Sequence, residues 1–433
     1  MVTGGRERSD PAIITARGRI ALAAGAGARW ASRVTGRGAG AMIGGLVAMT
    51  LDRSILGQLG AGRRTVVVTG TNGKSTTTRM TAAALGTLGS VATNAEGANM
   101  DAGLVAALAA APDAGLAALE VDEMHVPHVA DAIDPSVIVL LNLSRDQLDR
   151  VGEINHIERT LRAGLARHPS TVVVANCDDV LMTSAAYDSP NVVWVAAGGG
   201  WAGDSVSCPR SGEIIVRERT HWYSTGTDFK RPSPQWWFDD DNIYGPDGLC
   251  LPMTLALPGT VNRGNATQAV AAAVAMGVDP ALAVAAVSGV NEVAGRYRTM
   301  RLGSHTARVL LAKNPAGWQE ALSMVDKHGA GVVIAVNGQV PDGEDLSWLW
   351  DVRFEHFEDT AVVAAGERGT DLAVRLGYAG VEHTLVHDTL AAIASCPPGH
   401  VEVIANYTAF LQLNRVLERH GGQERSDPGN NRG

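Results

Sequence analysis

The sequence predicts an α/β protein with more than one domain. With 433 residues, the chain is longer than one hydrophobic core usually organises. Its 45% hydrophobic and 19% charged residues are typical of a folded protein. In two parts of the chain, apolar runs of strand length alternate with helical stretches, and this alternation indicates parallel sheets covered by helices on both faces.

The first α/β domain is predicted to span residues 61–300. Within it, a segment from 201 to 250 is rich in Gly, Ser, Pro, Trp and Asp, which predicts a small β-rich insertion. The apolar runs predicted as its strands are TVVVTG (65–70), LAALEV (116–121), SVIVLLNL (136–143), TVVVAN (171–176) and NVVWVAA (191–197).

A second α/β domain, predicted as Rossmann-like, is expected over residues 301–418. The remaining residues, 419–433, are polar and glycine-rich and are expected to form a disordered tail. The strand candidates of this domain are ARVLLA (307–312), GVVIAVN (331–337), TAVVAAG (360–366) and VEVIAN (401–406).

Residues 1–60 are predicted to be helical and are unusually basic. The apolar stretches 20–28 and 41–51 are interrupted by Arg and Gly, and no apolar run reaches the ~18 residues of a membrane span. Helices packed on the first domain are the expected arrangement, and an interfacial helix beside a membrane is the alternative. The arginines of the first forty residues are Arg6, Arg8, Arg17, Arg19, Arg29, Arg33 and Arg37.

Charge and cysteine content exclude several classes of protein. The formal net charge of -9 argues against general nucleic-acid binding, which requires a basic face. The four cysteines form no CxxC pair, and we expect reduced thiols in a cytoplasmic protein. These cysteines are Cys177, Cys208, Cys250 and Cys396.

The strongest functional motif lies between the first predicted strand and the following helix. Backbone N–H groups of such a glycine-containing loop form a cradle for phosphate. Lys74 can reach the β- and γ-phosphates, and the Ser75 hydroxyl can bind Mg²⁺, although the loop is one residue shorter than the usual P-loop. The loop residues are Gly70, Thr71, Asn72, Gly73, Lys74, Ser75 and Thr76.

The segment TGTNGKSTTT resembles the phosphate loop of the Mur ligases, which use ATP to join amino acids to peptidoglycan precursors through an acyl phosphate. The resemblance implies a central ATPase domain with a parallel sheet and a P-loop. Glu120, in ALEVDE, occupies the position of a Mg²⁺-binding glutamate. The segment NLSRDQLDRVGEI has Gln147 where many members have a metal-contacting His.

Further motifs extend this resemblance over roughly residues 15–415. LPGTVNRGNATQAVAAA implies that Asn262 and Asn265 contact the nucleotide, and the following Gly-Arg implies a phosphate contact by Arg296. Many Mur ligases hold a second Mg²⁺ with a carbamylated lysine. The chain has no lysine between Lys74 and Lys230, so this device is expected to be absent.

Segments of the C-terminal domain resemble one branch of the family, the MurT ligases. They are LLAKNPAGWQEAL, DGEDLSWLWDVRFE, GERGTDLAVRLGYAG and NYTAFLQL, and the first carries Lys313 and Asn314 as candidate catalytic residues. This branch implies amidation of the D-glutamate α-carboxyl of the lipid II stem peptide to D-isoglutamine, with ATP and Mg²⁺. Ammonia would come from a GatD-type glutaminase, in a heterodimer.

Asp351 is the candidate for chemistry shared with that partner. The resemblance suggests that an acid at this position completes a Cys–His–Asp triad whose Cys and His belong to the glutaminase. Asp345 is a weaker candidate, and a solvated acid is the alternative for both. Trp348 and Trp350 are expected at the subunit interface or, for one of them, in the core.

The central insertion departs from the MurT pattern, which includes a four-cysteine zinc ribbon. Here Cys208 is the only cysteine retained, and Ser211, Ser224 and Thr227 occupy the other ligand positions. A structural zinc site requires all four ligands, so we expect the ribbon without zinc, held by tryptophan packing. His221 and Cys250 are possible but less favoured replacement ligands.

Two other functions stay open from the sequence. A paralogue could amidate or ligate a different carboxylic acid, and the altered ribbon is the reason to consider it. A non-catalytic scaffold for a glutaminase is the third possibility, which the intact Gly73, Lys74, Ser75 and Glu120 disfavour. The residues do not distinguish lipid-linked from nucleotide-linked precursors.

Overall fold

The computed structural model describes two compact units. The first lies within residues 1–144 and 152–293, and the second within 145–151 and 294–433. The described residues are 14–34, 41–94, 98–145, 151–199, 202–291, 297–326, 329–343, 345–355, 357 and 360–424.

A parallel sheet forms the centre of the first unit. Its strands are β1 (Arg64–Thr69), β2 (Val91–Thr93), β3 (Leu116–Glu120), β4 (Val137–Leu140), β5 (Val172–Asn176) and β6 (Val192–Val195). The helices of the unit are α1 (Ala16–Val34), α2 (Ala41–Leu51), α3 (Ile55–Gly60), α4 (Lys74–Leu85), α5 (Asp101–Ala110), α6 (Val126–Ile133), α7 (Val151–Leu165), α8 (Val180–Ala186), α9 (Thr260–Ala275) and α10 (Pro280–Ser288).

The strand order in this sheet is β2-β3-β1-β4-β5-β6. Val68 pairs with Glu120 on one side and with Val139 on the other, both in parallel register. The central strands are buried and apolar, as expected for a sheet covered on both faces. Because β1, β3 and β4 are parallel neighbours, the residues that follow them meet at one edge of the sheet, where ligands bind in open α/β folds.

Small residues allow the N-terminal helices to pack closely. A Cβ atom on Gly25 of α1 would lie 2.5 Å from the Gly44 carbonyl oxygen of α2. A Cβ on Gly45 would collide with the backbone of Ala102 in α5, so α2 lies between α1 and α5. No helix among the described residues is both long enough and apolar enough to cross a membrane.

The predicted β-rich insertion forms two small antiparallel sheets. One is the hairpin of β7 (Ile215–Glu218) and β8 (His221–Ser224), and the other contains β9 (Trp237–Phe238), β10 (Asn242–Tyr244) and β11 (Cys250–Pro252). Trp222 packs on Phe229 with ring centroids 5.0 Å apart and donates a hydrogen bond of 2.9 Å to the carbonyl of Cys177. Tryptophan packing therefore links the insertion to the end of β5.

The second unit has a mixed sheet of order β12-β13-β17-β14-β15-β16, in which the edge strand β12 is antiparallel and the others are parallel. The strands are β12 (Tyr297–Leu302), β13 (His305–Leu311), β14 (Gly331–Ala335), β15 (Val362–Ala365), β16 (His383–Leu385) and β17 (Gly399–Ala405). The helices are α11 (Pro315–Ser323), α12 (Gly369–Tyr378), α13 (Thr389–Ser395) and α14 (Tyr407–Glu424).

The predicted fold class, two α/β parts with a small β-rich insertion, is confirmed. Strand β12 crosses the predicted boundary at residue 301, and α14 extends to Glu424, inside the segment 419–433 predicted as a disordered tail. The domain limits given from the sequence otherwise stay predictions.

Candidate functional site

The loop between β1 and α4 has a backbone that only glycine readily adopts at two positions. Gly70 has φ 141° and Gly73 has φ 84°. A Cβ atom on Gly70 would lie 2.8 Å from Leu141 Cβ, and one on Gly73 would lie 2.7 Å from Asn265 Oδ1. Gly73 is the residue directly before α4, so the loop ends at the N-terminus of this helix, where backbone N–H groups attract anions.

Asn142, which follows β4, fixes this loop from the side. Its Oδ1 accepts a hydrogen bond of 2.9 Å from the Asn72 amide, and its Nδ2 donates one of 3.0 Å to the Asn72 carbonyl. Its own carbonyl accepts from the Thr71 amide at 2.9 Å, and Thr71 Oγ1 accepts from the Ser144 amide at 3.0 Å. The phosphate loop is thus shaped by β4 as well as by its own glycines.

Lys74 begins α4, and its ammonium group is held inside the loop. Its Nζ lies 2.5 Å from the Gly70 carbonyl oxygen and 3.4 Å from each carboxylate oxygen of Glu123. Glu123 is 7% exposed. Burial raises the pKa of Glu123, and the positive charge of Lys74 opposes this rise. A buried ion pair thus occupies the place where a phosphate charge would be neutralised.

The two predicted Mg²⁺ ligands lie together in the structure. Ser75 Oγ, in the first turn of α4, donates a hydrogen bond of 2.7 Å to Oε2 of Glu120, at the end of β3. The Asn94 side chain positions Glu120 through two hydrogen bonds of 2.8 Å: its Oδ1 accepts from the backbone amide of Glu120, and its Nδ2 donates to the backbone carbonyl of Glu120. Two oxygen ligands at the N-terminus of a phosphate-binding helix fit Mg²⁺, which usually binds one or two protein side chains together with phosphate oxygens.

Helix α9 brings the predicted nucleotide-contacting residues to the same edge. Asn265 faces Gly73, and its Nδ2 lies 3.5 Å from Oδ1 of Asn262. The Nδ2 of Asn262 donates a hydrogen bond of 2.6 Å to the Pro258 carbonyl. Thr76 is buried in α4. Arg296 and Gln147 lie outside the described residues.

A cavity of about 460 Å³ opens beside the start of α9. Its aromatic wall includes Trp237, which stacks on Tyr244 with ring planes 5° apart. Arg231 in its lining is paired with Asp178 at 2.6 Å. Burial raises the pKa of Asp179, which caps α8, to about 6. The cavity thus combines a flat aromatic surface with charged groups, and Thr260, the first residue of α9, lines it.

The predicted C-terminal site residues belong to the second unit. Asn314 is 2% exposed and caps α11 by accepting a hydrogen bond of 2.8 Å from the Gly317 amide. The Lys313 ammonium lies 5.1 Å from the centroid of the Tyr407 ring, at the carboxyl end of the sheet. The local geometry gives Asn314 a structural role, and the catalytic roles of both residues stay predictions.

Asp351 ends a short 3₁₀ turn, 347–350, and its side chain is 32% exposed. Its Oδ2 is buried and makes no hydrogen bond among the described residues, and the Arg145 guanidinium lies 3.9 Å away. Trp348 is a core residue stacked on Trp318, whereas Trp350 is 56% exposed. Asp345 lies just before the same turn, and a hydrogen bond of 2.8 Å from the Ser347 amide lowers the pKa of its carboxyl group.

Two of the ribbon positions, Ser211 and Ser224, contact the buried thiol of Cys208. Burial alone would raise the pKa of Cys208. Hydrogen bonds from Ser211, Ser224 and the Arg210 amide outweigh this effect, so the pKa of Cys208 lies below its usual value. Ser224 and Thr227 lie in the turn that ends at Phe229, whose carbonyl accepts from the Ser224 amide. Among the described residues, no group of three or more His, Cys, Asp or Glu side chains is arranged to hold a metal.

Two family models match separate parts of the chain. The Mur ligase middle domain matches residues 68–273, and the MurT ligase C-terminal domain matches residues 311–410. The chain belongs to the Mur ligase family, in its MurT branch. The first match contains the phosphate loop, Glu120, Asn262 and Asn265, and the second contains Lys313, Asn314 and Asp351.

Curated relatives in the MurT branch match over nearly their whole length. The MurT subunit of the glutamine-hydrolysing lipid II isoglutaminyl synthase from Streptococcus pneumoniae is 28% identical, over 88% of this chain and 93% of the relative. The corresponding Staphylococcus aureus subunit is also 28% identical, over 92% and 97%.

Solved Mur ligase structures share the fold. A pseudomurein peptide ligase type C from Methanothermus fervidus aligns with a TM-score of 0.65 at 17% identity, over 82% of this chain and 79% of that one. MurF from Acinetobacter baumannii aligns with a TM-score of 0.61 at 18% identity, over 85% and 80%.

Sequence reasoning missed two residues of this Mur ligase site. Glu123 was visible only as the third acid of ALEVDE, three residues after Glu120. Asn94 follows the three-residue strand β2, which is too short to give an alternation signal. Both residues lie just after a parallel strand, and this placement was the available signal, because polar residues after parallel strands meet at the ligand-binding edge of the sheet.

Proposed function

We propose that the protein is an ATP-dependent ligase that amidates the D-glutamate α-carboxyl group of the lipid II stem peptide, giving D-isoglutamine. The observation that carries the proposal is the contact of Ser75 with Glu120 beside the Lys74 ammonium group, in a chain similar to MurT subunits over most of its length. This arrangement supports phosphoryl transfer at the carboxyl edge of the sheet.

A carboxylate is a poor acyl donor because it would have to expel oxide. Transfer of the γ-phosphoryl group to it creates a good leaving group, which ammonia then displaces. The protein contributes positioning and charge neutralisation. Lys74 and the first turn of α4 would bind the phosphates, and Ser75 and Glu120 would hold Mg²⁺, which neutralises charge that develops on phosphate oxygens.

We place the nucleoside of ATP in the cavity beside α9. Thr260 lines that cavity, and Asn265, which faces the phosphate loop, is five residues further along the helix. Five residues of helix rise about 7.5 Å, a span that a triphosphate covers. The Trp237 ring offers a stacking surface for a base, and Arg217 and Arg219 line the same space.

Ammonia is mostly protonated at neutral pH, so a coupled glutaminase is an economical source of the reactive form. We propose that a GatD-type glutaminase binds the second unit in a heterodimer, on an apolar surface formed by Trp350, Val374 and Tyr378. These side chains are 56%, 52% and 77% exposed, and the Trp350 and Tyr378 rings pack edge to face at 5.3 Å. Exposed aromatic clusters are typical of interface centres.

Asp351 lies directly after Trp350, which supports its role in orienting a histidine of the partner. The reaction would take place in the cytoplasm, at the inner face of the plasma membrane where a lipid-linked precursor is accessible.

The test is to co-express the chain with a GatD-type glutaminase and supply purified lipid II, glutamine, ATP and Mg²⁺. Mass spectrometry of the muropeptides should show the small mass decrease expected when a hydroxyl group is replaced by an amino group. A parallel reaction with the nucleotide-linked precursor compares the two substrates. Unchanged muropeptides from both precursors, in the presence of measurable ATP turnover, would favour a different carboxylic acid.

We also propose that the ribbon contains no zinc. The purified protein should contain well under one zinc per chain, because Ser211, Ser224 and Thr227 replace thiolates around Cys208. The positive control is a triple variant, Ser211→Cys, Ser224→Cys and Thr227→Cys, which restores four thiolates and should bind one zinc. Stoichiometric zinc in the unmodified protein, removable only with unfolding, would contradict the proposal.

A further inference from the structure

Most of the large apolar side chains of helix α1 point away from the protein, whereas Leu22 packs partly against the core of the first unit. Ile20, Trp30 and Val34 are 67%, 68% and 67% exposed. Together with the exposed Ala23 and Gly27, they follow the spacing 20-23-27-30-34, which places them on one stripe of a helix. We call these five residues the outer stripe.

The opposite side of α1 is the one that packs on the protein, and it carries small residues. Gly18, Ala21, Gly25 and Ser32 are buried, and Gly25 contacts the backbone of α2. A helix on a soluble domain normally buries its large apolar side chains and exposes polar ones. In α1 three of the four large apolar side chains are exposed instead, so the fold itself does not account for the outer stripe.

The sequence around the helix carries an excess of positive charge. Between residues 11 and 51 the sequence contains five arginines and no Asp or Glu, although the whole chain has a net charge of -9. Arg17 and Arg19 are exposed at the start of α1, and Arg29 is half-buried. An apolar stripe with a tryptophan, flanked by arginines and free of acids, is complementary to a surface that is apolar inside and anionic outside.

We propose that the outer stripe of α1 docks on an anionic lipid surface. Ile20, Trp30 and Val34 enter the boundary between headgroups and acyl chains, while the arginines contact lipid phosphates. The helix lies in the plane of the surface, since no described helix can span a bilayer. This surface does not depend on the proposed ligase reaction, and it can be tested without ATP or precursor.

The experiment is co-sedimentation of the full-length protein with vesicles of phosphatidylcholine alone or with equal parts of phosphatidylglycerol. We expect binding to the anionic vesicles that weakens in high salt, because salt screens the arginines. The triple variant Ile20→Gln, Trp30→Gln and Val34→Gln should lower the partition coefficient at least about tenfold.

A matched control changes apolar side chains that are exposed elsewhere in the same unit. Val206, Ile214 and Leu282 are 64%, 65% and 55% exposed, and their replacement by Gln should leave vesicle binding unchanged. Thermal unfolding checks that each variant is folded. The proposal is overturned if the unmodified protein does not bind anionic vesicles, or if both triple variants bind equally. It is also overturned if light scattering shows that the stripe instead joins two copies of the chain.

Discussion

The Lys74→Ala variant should lose ATP turnover and amidation by at least about 10²–10³-fold, because a positioned cation is removed from the site where phosphate charge develops. The amino group lies inside the loop between β1 and α4, and Ser75, which contacts Glu120, is the next residue in the chain. Turnover is measured as phosphate release with glutamine, precursor and the glutaminase present. Wild-type turnover in a folded variant would contradict the assignment of the ATP site.

The structure adds a stability effect that the sequence did not reveal. Glu123 is buried and has Lys74 as its charge partner, so Lys74→Ala leaves a buried carboxylate unpaired. Breaking a buried ion pair in this way costs up to about 3–5 kcal/mol. The double variant Lys74→Ala, Glu123→Gln should recover much of this stability and remain inactive. Denaturant unfolding of the three proteins separates the loss of folding from the loss of chemistry.

Lys230→Ala is the matched control, since Lys230 is an exposed lysine in the same unit. It should retain both stability and turnover. If the double variant regained activity, Lys74 would act through Glu123 rather than on phosphate.

The Asp351→Asn variant should lose glutamine-dependent amidation by at least about 10²-fold, because the amide cannot stabilise a charged histidine as a carboxylate does. The ATP site lies in the other unit and keeps all its residues, so high ammonium chloride at alkaline pH should restore much of the product. Lys74→Ala should show no such rescue.

The two nitrogen sources are compared by product yield for Asp351→Asn, Lys74→Ala and Asp345→Asn. Asp345 is the control because its carboxylate accepts a hydrogen bond from the Ser347 amide within its own loop, and its variant should keep activity with glutamine. If Asp351→Asn loses the same fraction of product with glutamine as with ammonium, Asp351 takes part in the acyl-phosphate chemistry. Full activity with glutamine would make it an ordinary loop acid.

The sequence predicted the two α/β parts, the β-rich insertion and the phosphate loop because each depends on local signals. Apolar runs mark buried strands, and Gly70 and Gly73 mark a turn that enters a helix. The short strands β2 and β16 and the antiparallel edge strand β12 were not predicted. They have three residues or carry mixed side chains such as YRTMRL, so they receive their structure from the neighbours with which they pair.

Contacts within the site were less accessible to sequence reasoning. The motifs identified Ser75 and Glu120 separately, but only the fold shows that these residues touch and that Asn94 holds Glu120 in place. Trp348 and Trp350 are two residues apart and of one type, and the fold alone makes one a core residue and the other a surface residue. Such differences depend on neighbours distant in sequence.

The close approach of Asn265 to Gly73 has an evolutionary consequence. Any side chain at position 73 would occupy the space of the Asn265 amide group, and Gly73 also has a backbone conformation that other residues rarely adopt. A substitution of Gly73 is therefore unfavourable while Asn265 is present, although 192 positions separate the two residues in the chain. We expect Gly73 to stay unchanged wherever Asn265 is retained during divergence, so that a residue of α9 limits which sequences the phosphate loop can have.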